Sequence, residues 1–347
     1  MLLEGLHLPL TTPFYPDGRL NLRKLEHNVD RYSRTPVSTL VMLSETGEPA
    51  ALSDAETREA LEIAMGVAGE TKVMIAGIGR GSVFGTLELA DFAASAGYDA
   101  VLVKLPGSLR TEQLRETLTY FQAVADRSPL PVILYSVASA PITVEAAVEL
   151  AAHPRVIGLS DASSSTERIA RVRTATAQVR REVIVTTVFS AVTGRMLAVK
   201  EQPGAATFVS AERLGGGAAV AMAPPRPALQ TRTKTVGFQV IAASSVEMLS
   251  GLRAGAVAAM PGFAAAAPQA CYEVYAAWKD DDQPLADEKQ ARIAPALAKV
   301  EVELGTPGIH FACDLNGYFG GRPRLPLLPL NGSDRDSVER VMDGIRN

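Results

Sequence analysis

Along the first 160 residues, short apolar and β-branched runs alternate with longer stretches in which apolar positions recur near helical spacing. The short runs at residues 7–14, 39–43, 72–78, 100–105, 131–137 and 156–159 predict six strands. Strand and helix in strict alternation is the signature of parallel βα units. The helices between them have readable starts. Ser53-Asp54-Ala55-Glu56 is a capping box, in which the serine oxygen and the glutamate each satisfy free backbone N–H groups, and Leu61, Ile63, Ala64 and Val67 then supply part of an apolar stripe. Polar, chemistry-bearing residues gather where the strands end, at 44–48, 106–108, 135–139 and 160–163. In a (β/α)8 barrel those ends open on one face, where active sites are built. The pattern therefore predicts an α/β barrel more readily than a sheet with one crevice.

Beyond residue 164 a helix from 166 to about 179 leads to two candidates for the seventh strand, 182–188 and 236–241. Only the second continues naturally, through 255–260 as an eighth strand and 268–278 as its helix. The sequence thus predicts a barrel over 1–280 carrying an insertion at about 190–234, with a local duplication as the other reading, since both candidates are followed by a Met-Leu pair. Gly215-Gly216-Gly217 and Pro224-Pro225-Arg226-Pro227 mark the insertion as a surface excursion. The acidic run Asp280-Asp281-Asp282-Gln283-Pro284 opens a helical appendage, 281–347, with helices expected at 285–304, at 309–316 and from 334 onward.

Composition narrows the partners. Hydrophobic residues make up 47% and charged residues 21% of the chain, enough for a sizeable core. A net charge of -4 gives no footprint for nucleic acid, and no apolar run approaches the roughly 20 residues of a membrane helix. Met1-Leu2-Leu3-Glu4-Gly5 lacks the basic start and long apolar core of a signal peptide. Cys271 and Cys313 are too few and too far apart for a disulfide framework or a zinc site. The expectation is a cytoplasmic protein that takes a small-molecule metabolite, with no nucleic acid, membrane, metal or cofactor. His7, His27, His153 and His310 form no ligand pair, and Gly77-Ile78-Gly79-Arg80-Gly81 lacks the full spacing of a dinucleotide loop, so a strand-end turn is expected there.

Four motifs, in order, carry a family resemblance: Thr12-Pro13-Phe14 followed by Asp17-Gly18; Ser44-Glu45-Thr46-Gly47-Glu48; Leu134-Tyr135-Ser136-Val137; and Arg324-Leu325-Pro326-Leu327-Leu328-Pro329-Leu330. With Val156-Ile157-Gly158-Leu159-Ser160-Asp161-Ala162 they make the chain resemble the dihydrodipicolinate synthase / N-acetylneuraminate lyase family. The resemblance implies a (β/α)8 TIM barrel with a C-terminal helical domain, assembled as a homo-oligomer, a dimer or tetramer. It also implies lyase or aldolase-like chemistry: a lysine forms an imine with pyruvate or another 2-oxo acid, a tyrosine shuttles protons, and a threonine loop binds the substrate carboxylate. On this basis Tyr135 is the expected catalytic residue, Thr46 and Gly47 belong to the loop that holds substrate, and Glu45, Ser160 and Asp161 are altered pocket residues.

The departures from the family pattern have physical meaning. Ser160 stands at the position of the imine-forming lysine, and a hydroxyl cannot condense with a ketone to form an imine. Glu45 replaces the first loop threonine; two negative charges about 4 Å apart repel by roughly 4 kcal/mol at an effective dielectric near 20, so an ionised Glu45 opposes a carboxylate bound in the family manner. Ala140 and Gly107 stand where an arginine and a tyrosine are expected. The reading that results is a lyase-like enzyme for a small oxo acid or related metabolite, working on carbon-carbon or carbon-oxygen bonds without an imine at Ser160. Its alternatives are a non-catalytic barrel that binds a metabolite or partner, and a metal-assisted enzyme using Glu45 and Asp161. Lys104 is a candidate relocated amine if its strand phase turns it inward.

Overall fold

Each expected strand in the first half of the chain forms, and every one is covered by helices on its outer side. In the computed structural model, which describes residues 1–110, 112–163, 165–198 and 229–345, these are β1 (Gly5–Pro9), β2 (Thr39–Met42), β3 (Val73–Gly77), β4 (Ala100–Lys104), β5 (Val132–Ser136) and β6 (Val156–Asp161). A two-stranded ribbon, β7 (Arg181–Thr186) with β8 (Thr231–Val236), comes next, then β9 (Gln239–Ala242) and β10 (Ala258–Ala259). The barrel closes in the order β1-β10-β9-β6-β5-β4-β3-β2, with every pairing parallel. A TIM barrel with a C-terminal helical extension is therefore the fold.

Local chemistry explains the helices that precede the C-terminal extension, which are α1 (Leu22–Ser33), α2 (Asp54–Val67), α3 (Val83–Ala96), α4 (Leu114–Arg127), α5 (Val144–Ala151), α6 (Thr166–Ala175), α7 (Gly194–Ala198), α8 (Met248–Arg253) and α9 (Pro268–Lys279). The Ser53–Glu56 capping box is present at the start of α2 (Asp54–Val67), and Asn21, Ser82, Thr143 and Ser165 each cap a helix by accepting a backbone N–H. Caps of this kind contribute about 1 kcal/mol each.

The seventh barrel strand is β9, which overlaps the second candidate run, whose first residue, Val236, ends β8. Residues 182–186 of the first candidate pair instead with 231–235 in an antiparallel register outside the barrel. The excursion therefore leaves the barrel before residue 190. Residues 199–228 of the expected insertion lie outside the described residues. Val183, Val185 and Val236 pack with Leu2 in a small apolar cluster of their own. Thr193 Oγ1 donates to the Glu70 carbonyl (2.6 Å), and the Gly194 N–H to Asp99 Oδ1 (3.0 Å). Glu70 and Asp99 precede β3 and β4, so this part of the excursion lies at the barrel end opposite the mouth.

The C-terminal extension folds as α10 (Gln283–Leu297), a π-helical turn (Ala298–Glu303), α11 (Gly305–Leu315) and α12 (Gly332–Met342). The helix expected over 285–304 thus changes character at its end. Pro295 lies inside α10 and supplies no N–H, and the chain then widens into the π turn. Gly308 permits α11 to press on that turn, because a Cβ there would stand 2.2 Å from the Val300 carbonyl oxygen. No described helix is long and apolar enough to cross a membrane.

Candidate active site

The C-terminal strand ends surround a mouth built on β2, β4 and β5 and the loops that follow them. Lys104 on β4, Tyr135 on β5, Ser160 on β6 and Ile241 on β9 are successive cross-strand neighbours, so they share one level of the barrel. Residues paired in register face the same side of a sheet. Lys104 accordingly lines the mouth together with Tyr135. Its side chain forms a salt bridge with Glu45, Nζ to Oε1 2.7 Å, with both partners part-exposed (33% and 45%).

Glu45 arrives on a strained loop. Leu43 (φ 58°) and Glu48 (φ 51°) both adopt left-handed backbone on either side of a 3₁₀ turn, Glu45–Gly47. Non-glycine residues in this region cost of order 1–3 kcal/mol and persist where neighbours over-determine them. The neighbours are identifiable. Thr12 Oγ1 donates to the Gly47 carbonyl at 2.6 Å. Gly77 lets the loop approach β3, since a Cβ there would stand 2.1 Å from the Leu43 carbonyl oxygen. Glu48 is gripped from the C-terminal domain: its Oε2 accepts the Arg324 N–H (3.1 Å), and its Oε1 stands 3.0 Å from His310 Nε2. Arg324 also binds Glu56 through two N–H donors, at 2.6 and 2.8 Å, which holds the Glu56 carboxyl at about 2, well below the usual range. The Leu-Pro-rich segment thus contributes to the site by anchoring the loop that carries Glu45.

Tyr135 is 8% exposed. Burial, and after it the negative charge of Glu45, push its phenol well above the ordinary tyrosine range, while a hydrogen bond from the Glu45 backbone N–H opposes them. The phenol is therefore a protonated donor at neutral pH. Two clefts, of about 380 Å³ and 340 Å³, share Glu45 and Tyr135 in their walls. The first extends over β3 and β4 past Arg80, Lys104 and Gly107. The second runs over β5 and β10 past Thr46, Ser139, Met260 and Glu301.

The remaining candidates lie differently. Ser160 is fully buried beneath Met260, with its Oγ 3.9 Å from the Met260 sulfur, and lines neither cleft. Gly47 enters the site through its backbone position in the loop. Asp161, one residue on from Ser160, faces the helix layer. It is ion-paired to Arg168 of α6 (Thr166–Ala175) and accepts the Ser163 N–H at 2.9 Å. Asp161 and Glu45 are thus not brought together as a pair of ligands. Among the described residues no group of three or more His, Cys, Asp or Glu side chains could hold a metal ion, which weighs against the metal-assisted alternative.

Sequence reasoning missed Glu301. It belongs to the π turn and reaches the mouth from the C-terminal domain, where its carboxyl accepts hydrogen bonds from the Phe263 N–H (2.7 Å) and the Ser245 hydroxyl. The one local signal was Pro295 within an otherwise helical pattern.

Comparison with known proteins agrees with this architecture. A 4-hydroxy-tetrahydrodipicolinate synthase of Acidiphilium cryptum is 27% identical over 347 residues, covering 99% of each chain. The crystal structure of a dihydrodipicolinate synthase from Thermotoga maritima superposes with a TM-score of 0.77 at 19% identity, covering 99% of each chain. One from Bacillus anthracis gives 0.77 at 19%, covering 100% of each. The model of the dihydrodipicolinate synthetase family matches residues 2–194, more than half of the chain, and the protein belongs to that family.

Proposed function

We propose that the protein is a lyase-like enzyme that makes or breaks a carbon-carbon or carbon-oxygen bond in a small 2-oxo acid or related metabolite, without an imine at Ser160. The observation that supports this best is the convergence of Tyr135, Glu45 and Lys104 on one mouth. Tyr135, protonated and buried, is suited to donate a hydrogen bond to an oxygen on which negative charge develops, an interaction that gains strength where water is excluded. Lys104 is suited to receive the substrate carboxylate. Its bridge to Glu45 is part-exposed, and such pairs contribute at most about 1 kcal/mol, so an anionic ligand can take the lysine from Glu45 at small cost. In this bridge Lys104 Nζ donates to Glu45 Oε1, the geometry of a carboxylate contact and not of a nucleophile aimed at a ketone. The carboxylate-binding role, which the family resemblance gives to the threonine loop after β2, is thus taken by Lys104 on β4. Thr46 borders the second cleft and is placed to contact the substrate's polar groups.

The test is proton NMR of pyruvate, 2-oxobutyrate and oxaloacetate in D2O with the protein. Exchange of the protons beside the oxo group, or cleavage, is expected with the wild-type chain, and Tyr135→Phe is expected to lower it roughly 100-fold or more, the usual scale for a positioned proton donor. No exchange and no turnover across such a panel overturns the reading.

A further inference from the structure

The second cleft is bordered by a half-buried glutamate carboxyl that the reading above does not use. Glu301 lies on the π turn Ala298–Glu303, a helix irregularity that recurs at functional sites. The turn points the side chain away from the helical domain and into the wall that also contains Tyr135, Glu45 and Met260. The barrel is shaped to receive it. Gly262, just after β10, carries no side chain; a Cβ there would stand 3.0 Å from both the Glu301 carboxyl carbon and Oε1. The N–H groups of Gly262 and Phe263 and the Ser245 hydroxyl all point at the carboxyl. Ser245 follows β9, so Glu301 ties two barrel loops to the helical domain while bordering the cleft.

We propose that Glu301 is the group that exchanges a proton with the carbon beside the oxo group of a substrate held against Tyr135. This rests on the function proposed above. As a carboxylate, Glu301 takes the proton from that carbon; the bonding pair becomes the enolate double bond, and the carbonyl oxygen, hydrogen-bonded by Tyr135, gains the negative charge. The reverse step returns the proton to carbon and restores the carboxylate. The environment suits both forms. Burial pushes the carboxyl up, while the two N–H groups and the Ser245 hydroxyl favour the ionised form, and a proton-transfer group works best when both forms are within reach at the working pH. The position complements Ser160. Met260 covers the serine from above and borders the same cleft as Glu301, so a carboxyl from the C-terminal domain occupies the mouth where no lysine rises from β6.

The groups facing Glu301 are Tyr135 on β5, Glu45 on the loop after β2 with its partner Lys104 on β4, and Cys271 on α9 (Pro268–Lys279). The experiment follows deuterium exchange at the methyl group of pyruvate by NMR across pH, using the full chain and its variants. Glu301→Gln, which keeps size and hydrogen bonding but cannot ionise, is expected to lower exchange by at least roughly 100-fold with the fold retained in circular dichroism. Ser245→Ala leaves Glu301 in place but removes a donor to the carboxylate. Its acidic limb, where exchange rises as the base ionises, is expected to move to higher pH. Wild-type exchange that survives Glu301→Gln overturns the proposal and leaves the family reading standing, and so does a limb unmoved by Ser245→Ala when the glutamine variant fails to fold. A silent wild-type protein overturns the functional reading and this proposal with it.

Discussion

Gly77→Ala isolates the contact that holds the Glu45 loop over the mouth. The added Cβ would lie 2.1 Å from the Leu43 carbonyl oxygen and 2.7 Å from the Leu43 carbonyl carbon, both backbone atoms that cannot rotate away. Relief requires the start of the loop to retreat by roughly an ångström, and Leu43 already sits in left-handed backbone. Overpacking of this kind costs about 1–3 kcal/mol. A 347-residue chain that unfolds as one unit has an unfolding entropy of about 0.7 kcal/mol per kelvin, so the expected fall in Tm is only about 1.5–4 °C. The functional effect is larger. Glu45 is two residues beyond Leu43, its backbone N–H meets the Tyr135 hydroxyl, and displacements near an ångström can cost about 100-fold in rate. Calorimetry gives the first quantity and pyruvate proton exchange the second. An alanine variant with unchanged Tm and unchanged exchange would show that the loop does not approach β3 as described.

Three further substitutions separate structural from chemical roles. Lys104→Gln is expected to change stability by less than about 1 kcal/mol in denaturant titration, because its bridge to Glu45 is part-exposed, while weakening carboxylate binding measured by calorimetry; an unchanged affinity for pyruvate refutes its role. Asp161→Ala leaves Arg168 without its carboxylate where the two side chains are 1% and 16% exposed, and a broken buried pair costs about 3–5 kcal/mol, so Tm should fall by about 4–7 °C. A thermal scan matching the wild type contradicts that placement. Glu56→Gln tests pH dependence: Arg324 lowers the folded-state carboxyl from 4.5 to about 2. The stability it contributes, roughly 1 kcal/mol after solvent screening, is present above pH 4.5 and lost as pH falls towards 2. Wild type and variant should therefore differ in urea stability at pH 6 and converge towards pH 2, and a constant gap refutes the linkage.

The barrel was legible because all eight of its strands overlap runs whose composition and spacing are local signals. The ribbon was not. Glu182 to Thr186 is as β-branched as the run that supplies β9, and what distinguishes them is burial, with Glu182 and Ile184 exposed but all of β9 buried. An exposed isoleucine gives no polar alternation from which to read that difference. Lys104 was undecidable for a related reason. The residues on either side of it are apolar, so strand phase became clear only from its pairing with Tyr135. Asp161 could have been placed from alternation alone, since an inward Ser160 turns its neighbour outward. Glu301 lies 166 residues from Tyr135, on a π turn that propensity does not announce, and its place in the mouth depends on how the helical domain docks.

The central claim is that this mouth works without a covalent imine, and borohydride trapping tests it most directly. The full-length protein is incubated with pyruvate, then with sodium borohydride, and its intact mass is measured beside a control without pyruvate. No reduced adduct is expected, while the same preparation exchanges pyruvate methyl protons in D2O. A stoichiometric adduct mapped to Lys104 or any other lysine contradicts the account.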